Sequence, residues 1–268
     1  MAGVTRRDAL IGAGGILLGA GALVGGGLAW RARGDDGAAD ALIPDAPAGD
    51  ERLEKRDSAA RGREVDFYTA VPADHGDGRG LPVCLVLHGA SATAADFAGF
   101  GLGRFLTAAV RAGAPPFVLA GATGDRLRWE PAGDDDPRRM AAEEIPAWCA
   151  ERGFDSGRVA LWGWSMGGYG ALRLAETRPG TYRHVEAFSP AISEGDDVFR
   201  DAARLDGTPV QLSCGTEDGF HPAMAALDAL LPGSAISVPG GHSRTVWNSL
   251  TPAAFARIAA ALAAQTNV

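Results

Sequence analysis

The chain has 268 residues, 46% of them hydrophobic and 22% charged, with a formal net charge of −8 at pH 7. That length suits one α/β domain with an appendage. The acidic balance offers no basic face to neutralise phosphates, which excludes nucleic acid as a partner. Three cysteines, Cys84, Cys149 and Cys214, stand at no C-x-x-C spacing. They signal neither a zinc site nor a full disulfide framework, and read as small buried hydrophobes.

The N-terminus comes first in chain order. Thr5-Arg6-Arg7 precedes an uncharged run from Ala9 to Trp30, with Arg31 and Arg33 behind it. A twin arginine ahead of a weakly hydrophobic, Gly/Ala-rich segment resembles a twin-arginine export signal. Asp8 and Ala9 depart from that pattern, and Ala20-Gly21-Ala22 is an early place for cleavage. Residues 9–30 are also just long enough to span a bilayer. The expectation is an exported protein, secreted or tethered on the outer side of the cytoplasmic membrane, with residues 1–33 as signal or anchor. Residues 34–60, rich in Asp, Ala, Pro and Gly without periodicity, read as a flexible linker. The folded domain is then 61–268.

Within that domain, strands and helices alternate. Glu64 to Val71 alternates as a strand, and Leu81 to Leu87 is a fully apolar one that runs into His88-Gly89-Ala90-Ser91. Thr93 to Ala112 carries a helical pattern, and Phe117 to Ala120 is the next strand. Gly121 to Arg139 is a polar loop containing Trp129 and the run Asp134-Asp135-Asp136. Lying at the carboxyl end of a strand, it should overhang the site; its aspartates suit a solvated loop or a helix cap, and their spacing specifies no metal. Met140 to Arg152 is a helix. After it comes the centre of the chain, RVALWGWSMGGYGALRLA from Arg158 to Ala175. Val159 to Trp164 is a buried parallel strand, and apolar residues at helical spacing follow from Met166. Further on, His184–Ser189, Pro209–Cys214 and Ala235–Val238 are strands. Pro222 to Leu231 is a helix, and Trp247 to Ala264 is a helix broken near Thr251-Pro252. The gap from Ser189 to Pro209 is too short for a large lid.

Ser165 sits at the strand-to-helix junction with Gly163 and Gly167 two residues to either side, as a strained nucleophile turn demands. The backbone N–H of Met166 then lies at a helix N-terminus, able to donate to an oxyanion. The strand running into His88-Gly89 places a second donor at Ala90, with Ser91 next in line. His88 reads as a structural residue of that loop. A serine needs a base, and the base needs a carboxylate. Of five histidines, His242 on the Gly240-Gly241 loop after the last strand is free to reach Ser165; His75, His184 and His221 fall at unsuitable places. Asp218 is preferred to its neighbour Glu217 as the acid. The order Ser…Asp…His follows.

GWSMGGYGALRLA with RVAL before it, CGTEDGF, and PGGHS followed by Trp247 resemble the α/β-hydrolase fold. They are most similar to the esterase group that includes S-formylglutathione hydrolase, feruloyl esterases and the secreted mycolyltransferases. The likeness runs from Arg61 to Ala264. It implies a mostly parallel sheet with helices on both faces and little or no cap. It also implies a triad of Ser165, Asp218 and His242, an oxyanion hole from Met166 and Ala90, and no cofactor. The chain departs from better-known members around Trp129 to Asp136 and Ile192 to Asp206, which mark the substrate-facing parts. Trp129 and Trp164 are the candidate substrate contacts. The substrate is then a small-molecule or cell-envelope ester. Two other readings remain: transfer of the acyl group to a sugar hydroxyl, and a non-catalytic envelope binding protein that kept the fold.

Overall fold

A computed structural model of the chain describes residues 37–233 and 235–264. The proposed export segment, residues 1–33, lies outside the described residues. Among those described, no helix is long and apolar enough to cross a membrane.

Eight strands form a single sheet: β1 (Asp50–Ser58), β2 (Arg63–Val71), β3 (Pro82–Leu87), β4 (Val118–Ala122), β5 (Asp155–Trp164), β6 (Val185–Phe188), β7 (Val210–Gly215) and β8 (Ile236–Val238). Their spatial order is β1-β2-β4-β3-β5-β6-β7-β8. The first two strands run antiparallel to their neighbours, and from β4 through β8 every pairing is parallel. Parallel strands covered on both faces must be apolar on both faces, which is why PVCLVL of β3 is buried throughout. β5 lies between β3 and β6, in the interior of the sheet.

Five longer helices cover the sheet: α1 (Leu102–Arg111), α2 (Ile145–Glu151), α3 (Met166–Thr177), α4 (His221–Asp228) and α5 (Arg244–Ala263). On one face Phe105 and Leu106 of α1 share a core with Leu250, Phe255, Ile258 and Leu262 of α5. On the other, Ile145 and Trp148 of α2 join Tyr169 and Leu172 of α3 and Met224 and Leu227 of α4. Between β6 and β7 there is only a four-residue helix, Asp197–Arg200, and a 3₁₀ turn, Ala202–Leu205. This is the α/β-hydrolase architecture without an inserted cap.

The structure corrects the expected linker. From residue 37 onward, 34–60 is folded. Asn248 on α5 donates to the Ala39 carbonyl (2.9 Å), Arg104 on α1 donates to the Ala46 carbonyl (3.1 Å), and Asp40 pairs with Arg244 (2.8 Å). β1 then pairs with β2 along its whole length, Asp50 opposite Val71 through Ser58 opposite Arg63. A stretch with no hydrophobic period satisfies its backbone by docking on helices and on a sheet edge. Two helices also differ from expectation. α1 starts at Leu102, not Thr93, because Gly101 takes a left-handed conformation (φ 74°) at its N-cap and only a 3₁₀ turn, Ala94–Asp96, precedes it. α5 is continuous through Pro252. Its buried stripe of Leu250, Ala254, Phe255 and Ile258 holds the helix together across the one hydrogen bond that proline removes.

Candidate active site

Ser165 follows directly on β5 and precedes α3. Its backbone has φ 57° and ψ −121°, a conformation that costs a non-glycine residue about 1–3 kcal/mol. The neighbours make it possible. A Cβ on Gly163 would stand 2.3 Å from the Gly167 carbonyl oxygen, and one on Gly167 would stand 1.9 Å from the Leu87 carbonyl oxygen at the end of β3. The turn thus closes on itself and on the adjacent strand. The Ser165 N–H donates to the Phe188 carbonyl (2.8 Å), and its carbonyl accepts from Ala191 (2.9 Å), so both sides of the turn are tied to the end of β6.

The structure brings three sequence-predicted side chains together. Ser165 Oγ lies 2.9 Å from His242 Nε2, and His242 Nδ1 lies 2.7 Å from Asp218 Oδ2. The carboxylate can only accept, so the proton of the neutral imidazole sits on Nδ1 and the Nε2 lone pair faces the hydroxyl. Asp218 follows β7 with its side chain fully buried. Its other oxygen accepts from the Phe220 N–H (2.9 Å). Burial pushes the carboxyl up. The hydrogen bond and charge of His242, with the Phe220 and Ser189 bonds, outweigh burial and hold it below the ordinary carboxylate range. The edge-on rings of Phe220 (5.2 Å) and Trp247 (5.1 Å) flank the imidazole. Glu217 is exposed, and its N–H donates to Gly240 (2.9 Å). The other histidines are engaged elsewhere: His75 with Ala73, His184 with Glu186, and His221 with Ser237.

Two supporting roles escaped the sequence reading, although Trp247 stands in the motif that carries the resemblance. Trp247 Nε1 donates to Ser189 Oγ (3.0 Å), which directs the Ser189 hydroxyl proton toward Asp218. Ser189 follows β6, fully buried at φ 42°. A serine after a strand carries no signal of a positive φ, and a tryptophan five residues past a histidine reads as core.

The loop after β3 is built around His88. Its buried ring accepts the Gly124 N–H at Nε2 (2.9 Å), so Nδ1 donates to the Gly89 carbonyl (2.8 Å). Burial lowers its pKa and keeps it neutral, in line with a structural role. A Cβ on Gly89 would lie 3.3 Å from Ser165 Cβ, which puts the Gly89-Ala90 peptide beside Ser165. The Met166 N–H, first in α3, has no acceptor within its own helix. A hydroxyl polarised by an imidazole, beside backbone donors, can form and resolve an acyl ester.

Comparison with known proteins agrees with this chemistry. Residues 58–258 match the family described as "Putative esterase". The chain belongs to this esterase family. It is a serine ester hydrolase. Solved structures share the fold: a ferulic acid esterase (16% identity, TM-score 0.70, covering 81% of this chain and 100% of the other) and the S-formylglutathione hydrolase of Agrobacterium tumefaciens (19%, 0.65, 82% and 98%). MPT51 of Mycobacterium tuberculosis does so as well (16%, 0.62, 80% and 99%). No curated protein matches the chain in sequence.

Two expectations about the esterase change. Trp129 is 1% exposed; its Nε1 donates to the His88 carbonyl (3.2 Å), and its ring fills the space that Cβ atoms on Gly124 and Gly170 would take. It pins α3 to the loop after β4 and offers no surface to a substrate. Trp164 is buried too, under Gly89 and against Phe97, Phe100 and Trp247, as a floor for the loop. Both aromatics sit in the right region with the wrong orientation. The acidic run does structural work. Asp136 caps the helical turn Pro137–Arg139 by accepting the Arg139 N–H (2.8 Å), and Asp135 pairs with the buried Arg61. No cluster of potential metal ligands occurs among the described residues.

Proposed function

We propose that this esterase cleaves carboxylic esters through an acyl-Ser165 intermediate. The observation that carries the reading is the unbroken chain from Ser165 Oγ through His242 to Asp218 at 2.9 and 2.7 Å, set on a strained turn. His242 Nε2 takes the hydroxyl proton as Ser165 Oγ bonds to the ester carbon. The N–H groups of Met166 and Ala90 stabilise the oxyanion. Collapse breaks the bond to the alkoxy oxygen, which leaves with the proton from His242. Water then repeats the sequence and releases the acid. Asp218, charged throughout, holds the imidazole in the required tautomer and favours its protonated form. Losing one oxyanion donor in such a site costs on the order of 10²–10³ in rate.

The connection between β6 and β7 leaves the serine without a cap, and a sugar hydroxyl could replace water in the second half. Product analysis in the presence of a sugar acceptor separates the two. For location, the reading is export: Arg6-Arg7 and the apolar run to Trp30 carry it, and fractionation that finds all of the protein in the cytoplasm would refute it. The deciding enzymatic test is hydrolysis of p-nitrophenyl esters, acetate through laurate, by the full chain and by Ser165→Ala. Turnover and fluorophosphonate labelling should both vanish in the variant. Labelling retained in Ser165→Ala would overturn the assignment.

A further inference from the structure

The loop after β4 presents a cation at the oxyanion side of the site. Arg126 Nε donates to the Ala90 carbonyl at 2.9 Å, so its guanidinium is fixed on the residue whose N–H is the second oxyanion donor. Standard backbone dimensions put the guanidinium within roughly 8 Å of that N–H. Arg126 is exposed, and among the described residues Ala90 is its sole partner, leaving both Nη groups unengaged. Neighbouring arginines differ. Arg128 pairs with Asp196 (3.1 Å) and stacks 4.1 Å over the Tyr169 ring; Arg244 pairs with Asp40 (2.8 Å) and stacks 4.5 Å over Phe100. The adjacent carboxylate, Asp125, is taken by Arg61 and Arg63.

The backbone supports the same conclusion independently. Asp125, Arg128 and Trp129 all hold left-handed conformations, with φ of 52°, 55° and 59°. Three strained non-glycine residues in five occur where the surrounding structure over-determines a loop, and such strain concentrates at functional sites. Here Arg61 and the buried Trp129 clamp the two ends of the loop and hold Arg126 between them. An acidic protein thus spends a rigid loop on holding an unpaired fork of donors beside its reacting centre. Such a fork matches a carboxylate.

We infer that Arg126 is a specificity residue for anionic esters, ones bearing a carboxylate a few bonds from the scissile carbonyl. This rests on the reading of Ser165 as nucleophile. The test uses two matched pairs. Mono-4-nitrophenyl adipate against 4-nitrophenyl heptanoate places the charge on the acyl side; 3-carboxyphenyl acetate against 3-methylphenyl acetate places it on the alcohol side. The wild-type protein, Arg126→Gln and Arg126→Lys are compared by the ratio of kcat/KM within each pair. In at least one pair the wild-type preference for the charged ester should fall about fivefold or more in Arg126→Gln, whatever happens to the absolute rates. Arg126→Lys should keep part of it, and added salt should erode it. Ratios unaltered by Arg126→Gln in both pairs, or a wild-type preference for the neutral ester in both, would overturn the inference. Failure of the underlying reading looks different: neutral esters would not be turned over, and fluorophosphonate would not label Ser165 in any of the three proteins.

Discussion

Replacing Gly167 with alanine tests the geometry of the nucleophile turn. The added methyl would sit 1.9 Å from the Leu87 carbonyl oxygen, 2.4 Å from its carbon and 2.8 Å from the His88 carbonyl oxygen. These are backbone atoms at the end of β3 and of the residue after it, so no side chain can rotate away. Bringing the closest contact to a tolerable 3.0 Å requires a displacement of about 1.1 Å between α3 and the strand end, in a close-packed interior. Ser165 and the Met166 N–H ride on α3, while Ala90 rides on the strand end, so the displacement pulls the two proposed oxyanion donors apart. A misplacement of that size costs on the order of 10²-fold in rate, and overpacking costs about 1–3 kcal/mol of stability. The assay is kcat/KM on p-nitrophenyl butyrate, with the melting temperature and the fluorophosphonate labelling rate followed in parallel. Gly168→Ala serves as the comparator, since its Cβ would approach the Phe188 carbonyl oxygen only to 3.0 Å. It should be the milder variant. Activity of Gly167→Ala within threefold of wild type would refute the account of why the glycine is there.

Ser189→Ala removes one donor from Asp218 and leaves Trp247 Nε1 without its acceptor; kcat should fall about tenfold with KM little changed, and a change under twofold would count against the support role. Glu176 is buried against Arg173, and burial pushes its carboxyl up from 4.5 to about 7. Because the folded value is the higher one, its contribution to stability is complete below about 4.5 and is lost as pH rises through about 7. The melting temperature of Glu176→Gln should therefore gain on wild type between pH 5 and pH 9, and a constant difference would sink this reading. A chain starting at residue 37 should stay folded and active. One starting at residue 59 loses β1 and the docked segment before it, and should show a lower melting temperature; equal melting temperatures would mean that β1 contributes nothing.

What could be read from the sequence follows from how each residue is used. β3 and the stretch from Val159 to Trp164 in β5 are apolar on both faces because both faces are covered, and an apolar run bounded by glycines or a proline announces that directly. The strand ends then order Ser165, Asp218 and His242 along one edge, where loops converge. β1 was illegible for the opposite reason. An edge strand with little buried surface has no hydrophobic period to display. Trp129 shows a second limit. An aromatic in an acidic loop suggests a surface contact, yet only the positive φ of the loop turns its ring inward, and composition does not encode that angle. Ser189 shows the third: its role lies in two hydrogen bonds to residues far along the chain. Pro252 shows the fourth, in which packing of a whole helix outweighs a local breaker.

The two borders of the sheet share one further property. Of the nine residues in β1 only Leu53 and Ser58 carry no charge, and β8 at the far side has three residues. A strand from another chain would meet alternating acids and bases at one border and almost no ladder at the other. Neither border is a template for a ninth strand, so a sheet largely apolar on both faces can persist at high concentration without growing into its neighbours.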